Sequence, residues 1–191
     1  ICGGVLTAHK SIAMPGCSIN NPTLTEADLR NLAVAKQYKV TDVMLPFVRN
    51  KADLIILREA LREYGCEDIR IFAKIENMTG VEHLEELIPY CDYIVIARGD
   101  LGNAMPLSQL PRIQAHIARV CRKHNKDFMI VTQMLDSMIK NPYPTRAEVN
   151  DIYHAVTQGA SALMLTGETA HGKYPVEAMK MLVDTAEESI L

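Results

Sequence analysis

The sequence predicts an α/β fold assembled from parallel (β/α) units, and three features of the chain point to it. Short, continuous runs of Val, Ile, Leu and Met recur at residues 40–48, 69–75, 93–97, 128–132 and 162–166. Runs of this kind suit strands buried on both faces. Segments of helical periodicity lie between them, and the strand–helix unit recurs every two to three dozen residues or so, the spacing of parallel crossover connections. Polar groups then follow directly on four consecutive runs. Two architectures satisfy these features, an open doubly wound sheet or part of an eight-stranded barrel, since five units do not close a barrel of ordinary size.

Taken in order, residues 1–20 carry Gly3-Gly4 and Pro15-Gly16 and read as a lead-in with little helix, ahead of a single (β/α) domain over 21–191. Thr25-Glu26-Ala27-Asp28 opens a helix with a capping-box-like start. The strand over 40–48 follows. Leu54, Leu57, Leu61 and Tyr64 then recur on one helical face, with Arg58, Glu59, Arg62 and Glu63 opposite and Gly65 as the stop. After the strands at 69–75, 93–97 and 128–132, Pro142 and Pro144 block helix formation until Thr145-Arg146-Ala147-Glu148 supplies a full capping box. The last strand is followed by an amphipathic pattern from Pro175 to Leu191. The chain opens on Ile1 instead of Met and closes inside that pattern, so a fragment of a longer protein is expected.

Composition narrows the function classes. With 20 basic against 23 acidic residues, no basic cluster interleaved with aromatics and no Trp, a nucleic-acid surface is not expected. The five cysteines, Cys2, Cys17, Cys66, Cys91 and Cys121, include no Cys-x-x-Cys pair and read as free thiols of a reducing compartment. No apolar run approaches the ~20 residues that cross a bilayer. A cytoplasmic protein is expected. His83, His116, His124 and His154 fall on predicted helices and no histidine pair has metal-ligand spacing; the ten methionines suit flexible core filler.

The strand ends carry the chemistry. Lys74 and Glu76 follow one run, Arg98 and Asp100 the next, then Thr132 and Gln133, then Thr166 and Glu168. Alternation along a strand predicts that Lys74 and Glu76 face one way, and likewise Arg98 and Asp100. Glu76 and Asp100 are hard oxygen donors suited to Mg²⁺ or Mn²⁺ held with substrate oxygens, and Lys74 beside them suits neutralisation of a phosphoryl group or an enolate. Structural ion pairs at a rim are the plain alternative for either pair alone; four polar tips in succession favour a site. Gly99 lets backbone amides approach an anion. Thr132 suits a substrate carboxylate or a proton relay, or else an ordinary helix cap. The turn Thr166 to Gly172 could hold an anion at a helix N-terminus, although it lacks phosphate-loop spacing.

The chain resembles pyruvate kinase. The resemblance is carried by Met14-Pro15-Gly16, Phe47-Val48-Arg49, Lys74-Ile75-Glu76-Asn77 with Gly80-Val81, and Ala97 to Gly102. It continues through Thr132-Gln133-Met134-Leu135 with Ser137-Met138-Ile139, Pro144 to Glu148, and Gly167-Glu168-Thr169-Ala170, in family order over essentially the whole chain. The resemblance implies the C-terminal part, about five strands, of a TIM (β/α)8 barrel. Residues 1–20 would then match the exit from an inserted lid domain. It implies phosphoryl transfer from phosphoenolpyruvate to ADP, giving pyruvate and ATP, in a protein that forms a homo-oligomer, a tetramer in the intact family. Lys74, Arg98 and Thr132 are then catalytic. Glu76 and Asp100 bind Mg²⁺ or Mn²⁺, Lys74, Gly99, Asp100 and Thr132 bind substrate, Lys10 contacts nucleotide, and Thr166 and Glu168 belong to a proton relay. The family's K⁺ is implied too, with its ligands outside this chain, and little turnover is expected of the chain alone.

Three positions depart from the family pattern: Pro46 and Thr166 stand where serine is usual, and Ala104 where glutamate is. Ala104 could weaken support behind the site. Two further readings stay open, a truncated non-catalytic paralogue acting as a binding or assembly module, and a Mg²⁺-dependent lyase or aldolase of 2-oxo acids.

Overall fold

The computed structural model describes residues 21–190. Five parallel strands form one sheet: β1 (Asp42–Leu45), β2 (Arg70–Ile75), β3 (Tyr93–Ala97), β4 (Phe128–Val131) and β5 (Ala162–Met164). The helices are α1 (Glu26–Ala35), α2 (Lys51–Glu63), α3 (Met78–Glu82), α4 (Leu84–Leu87), α5 (Arg98–Asn103), α6 (Leu110–Lys123), α7 (Arg146–Thr157), α8 (Gly167–Ala170) and α9 (Pro175–Glu188). The expected lead-in over 1–20, with Lys10, lies outside the described residues.

Strand order separates the two predicted architectures. A doubly wound sheet reverses its order at a switch point. Here each strand pairs with the next in sequence, as in an arc of a (β/α) barrel.

The sheet's two faces differ as the alternation requires. Ile71, Ala73 and Ile75 of β2, Ile94 and Ile96 of β3, and Phe128 and Ile130 of β4 join one large core with Leu54, Leu57 and Leu61 of α2 and Ile113, Ile117 and Cys121 of α6. The opposite face holds a smaller cluster of Phe72, Val95, Ala97 and Val131, flanked by Tyr93, Met129 and Met164. Near its lower edge Phe72 stacks on Tyr93 with ring centroids 4.5 Å apart, and Arg70 lies over the Phe72 ring while pairing with Asp42. Among the described residues no helix is long and apolar enough to cross a membrane. Cys66, Cys91 and Cys121 are buried free thiols, and burial pushes Cys91 up to about 11 and Cys121 to about 12, which makes both inert.

The helix starts follow the sequence. Thr25 with Asp28 and Thr145 with Glu148 form complete capping boxes, and Asn50 caps α2. Strands β2 and β3 end where their apolar runs do, whereas β1, β4 and β5 end earlier. Thr132 falls outside β4 and Thr166 outside β5, because the backbone turns at those residues.

One close approach joins the β1 and β2 tips. Asn77 caps α3 by accepting from the Gly80 amide at 2.8 Å and donates to the Val48 carbonyl at 3.2 Å. A Cβ on Gly80 would stand 2.6 Å from that same carbonyl oxygen. Gly80→Ala is therefore expected to destabilise the fold by about 1–3 kcal/mol through forced separation of the two tips. Urea unfolding monitored by circular dichroism checks this, and an unchanged midpoint would contradict it.

Candidate functional site

The parallel register brings the C-terminal ends of all five strands to one rim, and the polar residues predicted for the site lie there. On β2, Lys74 stands opposite Val95 of β3 and shares the Phe72 face. Its Nζ lies 2.7 Å from Glu76 Oε1, so these two side chains do face the same way. Glu76 is only 3% exposed, and its Oε2 accepts from the Phe47 amide at 2.8 Å. That contact fixes the loop after β1, where Phe47 adopts left-handed backbone with φ 52°.

The tip of β3 differs from the expectation. Ala97 ends the strand and Arg98 begins the helical turn α5, so strand alternation no longer applies to Arg98 and Asp100. Two positions apart on a helix diverge by roughly 200°. Asp100 is exposed, whereas Arg98 is drawn to the β4 tip. Its Nε and Nη2 donate to the Thr132 carbonyl at 3.1 and 2.7 Å, Nη2 reaches the Gln133 carbonyl at 3.4 Å and Met134 Sδ at 3.0 Å, and Nη1 meets Asp151 Oδ2 at 2.6 Å.

Thr132 and Gln133 carry φ values of 80° and 54°. For a β-branched residue this is a genuine outlier, costing on the order of 1–3 kcal/mol. Gly99 makes room for it: a Cβ there would stand 3.0 Å from Thr132 Cγ2.

At the β5 tip, the turn expected to cradle an anion holds its own carboxylate instead. Glu168 is 1% exposed, and accepts from the Leu135 amide at 3.0 Å, the Thr166 amide at 2.8 Å and the Thr166 hydroxyl at 3.3 Å. Burial pushes its pKa up, yet the amides of Leu135, Glu168 and Thr166 together with that hydroxyl outweigh burial and hold it below its ordinary value of 4.5. Glu148 acts similarly, accepting from the Ser137 amide and hydroxyl at 2.7 and 2.6 Å while completing its capping box with Thr145. Both carboxylates thus pin the loop that follows Thr132. A third, Asp53, binds the Arg49 guanidinium at 2.7 and 3.1 Å, the Arg49 amide at 2.9 Å and the Thr23 hydroxyl at 2.6 Å.

These contacts escape a reading by spacing. Asp151 lies 53 residues from Arg98, and nothing in its helical context marks it. Ser137 could have been paired with Glu148 only by knowing how the loop folds back. At Ala104, which ends α5, the backbone amide donates to the Asp100 and Leu101 carbonyls. Nothing in the structure explains Pro46.

Glu76 and Asp100 have the donor chemistry a divalent cation takes. Among the described residues no three His, Cys, Asp or Glu side chains form a cage. Mg²⁺ commonly takes only one or two carboxylates, with water and substrate oxygens completing its shell. Glu76 keeps lone pairs beyond those used by Lys74 and Phe47, and Asp100 is exposed on the adjacent connection. Two clefts lie on the helical layer, not at the strand tips. One of about 440 Å³ is lined by Arg146, Tyr153 and Asp184, and one of about 680 Å³ by Val81, Arg112 and Arg119.

Because the unfolded chain binds a proton at Glu168 more readily than the folded one, its contribution to stability is present above pH 4.5 and is lost as pH falls below that value. Glu168→Gln is expected to lower stability at neutral pH by about 1–3 kcal/mol, since an NH₂ group replaces an acceptor for one buried donor. It should also flatten the acid limb of the Tm–pH curve. Thermal melts down to about pH 3 test this, and parallel limbs for the two proteins would contradict it.

The chain matches the family described as "Pyruvate kinase, barrel domain" over residues 1–179. It is 40% identical over 186 residues to a pyruvate kinase of Clostridium acetobutylicum, covering 97% of this chain and 39% of that protein. The pyruvate kinase of Thermotoga maritima is 39% identical over 187 residues, covering 98% and 40%. That of Candida albicans is 40% identical over 190 residues, covering 98% and 38%. The chain thus spans about two-fifths of the length of these relatives.

Proposed function

The chain belongs to the pyruvate kinase family through its barrel domain, and from that premise we propose that the full-length protein transfers a phosphoryl group from phosphoenolpyruvate to ADP. The observation that carries the proposal is the row of groups on three hydrogen-bonded neighbours: Lys74 with Glu76, Gly99 with Asp100, and Thr132.

Each group has a task set by charge. The phosphoryl group leaves the enol oxygen of phosphoenolpyruvate for a terminal oxygen of ADP, and the resulting enolate takes a proton at its methylene carbon to become pyruvate. Lys74, held by the buried Glu76, balances negative charge on the phosphoryl group in transit. Glu76 and Asp100 would hold Mg²⁺ or Mn²⁺, which when bound neutralises phosphoryl and enolate oxygens. The amides of Gly99 and Asp100, with the Thr132 hydroxyl, bind the substrate carboxylate. Thr132 lies nearest the path by which the enolate is protonated.

For Thr166 and Glu168 the contacts favour a narrower role. A carboxylate held ionised by several donors is a poor proton donor, so Glu168 serves the relay by orienting the Thr166 hydroxyl. Arg98 spends its donors on the β4 tip and acts on the loop carrying Thr132 more than on substrate. Lys10 keeps its proposed nucleotide contact on the resemblance alone. The protein is proposed to work as a cytoplasmic homo-oligomer with K⁺ as a second cation.

Of the other readings, the non-catalytic module has Ala104 in its favour. A lyase or aldolase of 2-oxo acids would use the same two carboxylates, but leaves unexplained the match that continues from Thr132 through Ala170. In the full-length protein, Lys74→Met and Asp100→Asn are each expected to lower kcat at least a thousandfold or so, and Asp100→Asn should weaken Mg²⁺-dependent oxalate binding measured by calorimetry. Losses of tenfold or less at both positions, or wild-type binding of oxalate independent of Mg²⁺, would count against the assignment.

A further inference from the structure

Two consecutive non-glycine residues in left-handed backbone need something to hold them there. At Thr132 and Gln133 the holder is one guanidinium. Arg98 gives two donors to the Thr132 carbonyl, and one of them also reaches the Gln133 carbonyl, so a single planar fork fixes both peptide groups of the turn. The fork is itself anchored. Its third nitrogen meets Asp151 Oδ2 at 2.6 Å, in a pair whose side chains are 11% and 33% exposed. Asp151 sits within α7 and is not among the strand-tip residues assigned to substrate. Gly99 lies against the Thr132 side chain and leaves it room that a Cβ would take, since such a Cβ would stand 3.0 Å from Thr132 Cγ2. Thr132 is thus held through its carbonyl by the arginine, and the arginine points where Asp151 holds it.

We infer that Asp151, acting through Arg98, is a positioning residue that keeps Thr132 and Gln133 left-handed and so aims the Thr132 hydroxyl into the site. The inference rests on the reading of Thr132 as a substrate-facing group. Without Asp151, Arg98 loses its anchor, the turn relaxes toward ordinary backbone and the hydroxyl is displaced. A displacement of about 1 Å at a reacting centre can cost around a hundredfold in rate.

The test pairs Asp151→Ala with Gln133→Gly, because glycine accepts left-handed backbone without a clamp. In the full-length protein, Asp151→Ala is expected to lower kcat by roughly ten- to a hundredfold while KM for phosphoenolpyruvate moves less than about threefold. Gln133→Gly alone should leave kcat within about threefold. Combined with Asp151→Ala, it should recover about tenfold of the lost rate. An ion pair that merely stabilises α7 would lower Tm, leave kcat unchanged well below Tm and show no recovery from glycine; that result overturns the inference. If the wild-type protein makes no ATP from phosphoenolpyruvate and ADP, the functional reading fails, and urea unfolding of the same four proteins then decides the clamp. Coupling that leaves the double variant about fivefold more folded than the single changes predict supports it, and additive changes overturn it.

Discussion

Parallel pairing in chain order is the constraint on which everything else depends. Each strand hands the chain to the same rim, so residues separated by dozens of positions become neighbours there without any local signal. The last paired residues, Ile75 with Ile96 and Ala97 with Val131, bring the Glu76, Arg98 and Thr132 positions to one rim, where Arg98 donates to the Thr132 carbonyl. A slip of one residue at β2 would turn Lys74 into the helix-packed core and bring Ala73 or Ile75 to the site. The apolar contacts of Ile71, Ala73 and Ile75 with the helices forbid that slip.

The rim carries more acid than a single cation could use, and burial sorts its roles. Burial raises the pKa of Asp53, Glu148 and Glu168, but it is outweighed at Asp53 by the Arg49 guanidinium with the Thr23 hydroxyl and the Arg49 amide, and at Glu148 and Glu168 by hydroxyls and backbone amides, so all three are held ionised with their oxygens occupied. They act as staples: Asp53 ties Thr23 to the loop before α2, Glu148 ties the loop after β4 to α7, and Glu168 ties that loop to the β5 tip. Glu76 is intermediate, buried by the Phe47 loop yet still turned toward Lys74. Asp100 alone among these is exposed. Rigid carboxylates thus frame the site, and the loops that carry backbone strain are those most densely stapled.

Backbone strain is concentrated at the same rim. Phe47, Thr132 and Gln133 are left-handed, and each lies directly beyond a strand tip. Lys39 and Asn125, also left-handed, lie in the turns that follow α1 and α6, where asparagine or an exposed lysine reverses the chain at modest cost. The distinction is physical. A turn after a helix can relax into solvent, whereas the Thr132 carbonyl is held by two donors of Arg98.

Local chemistry accounts for much that the sequence determined by itself. Apolar runs specified five strands, of which β2, β3 and β4 are largely buried while Met44 of β1 is exposed and β5 is half-buried. Capping boxes at Thr25 and Thr145 specified two helix starts, and the residues after the runs specified which end of the sheet is polar. These signals are readable because they depend on residues within a few positions of one another. Tertiary structure decided what depends on distant partners. It chose a barrel-like strand order over a doubly wound one, turned Arg98 away from Asp100 by beginning a helix where a strand was expected to continue, filled the turn after β5 with Glu168, and joined Asp151 to Arg98 across 53 positions. An ion pair or a left-handed turn is selected by the packing around it, and that packing exists only once the strands have been laid side by side.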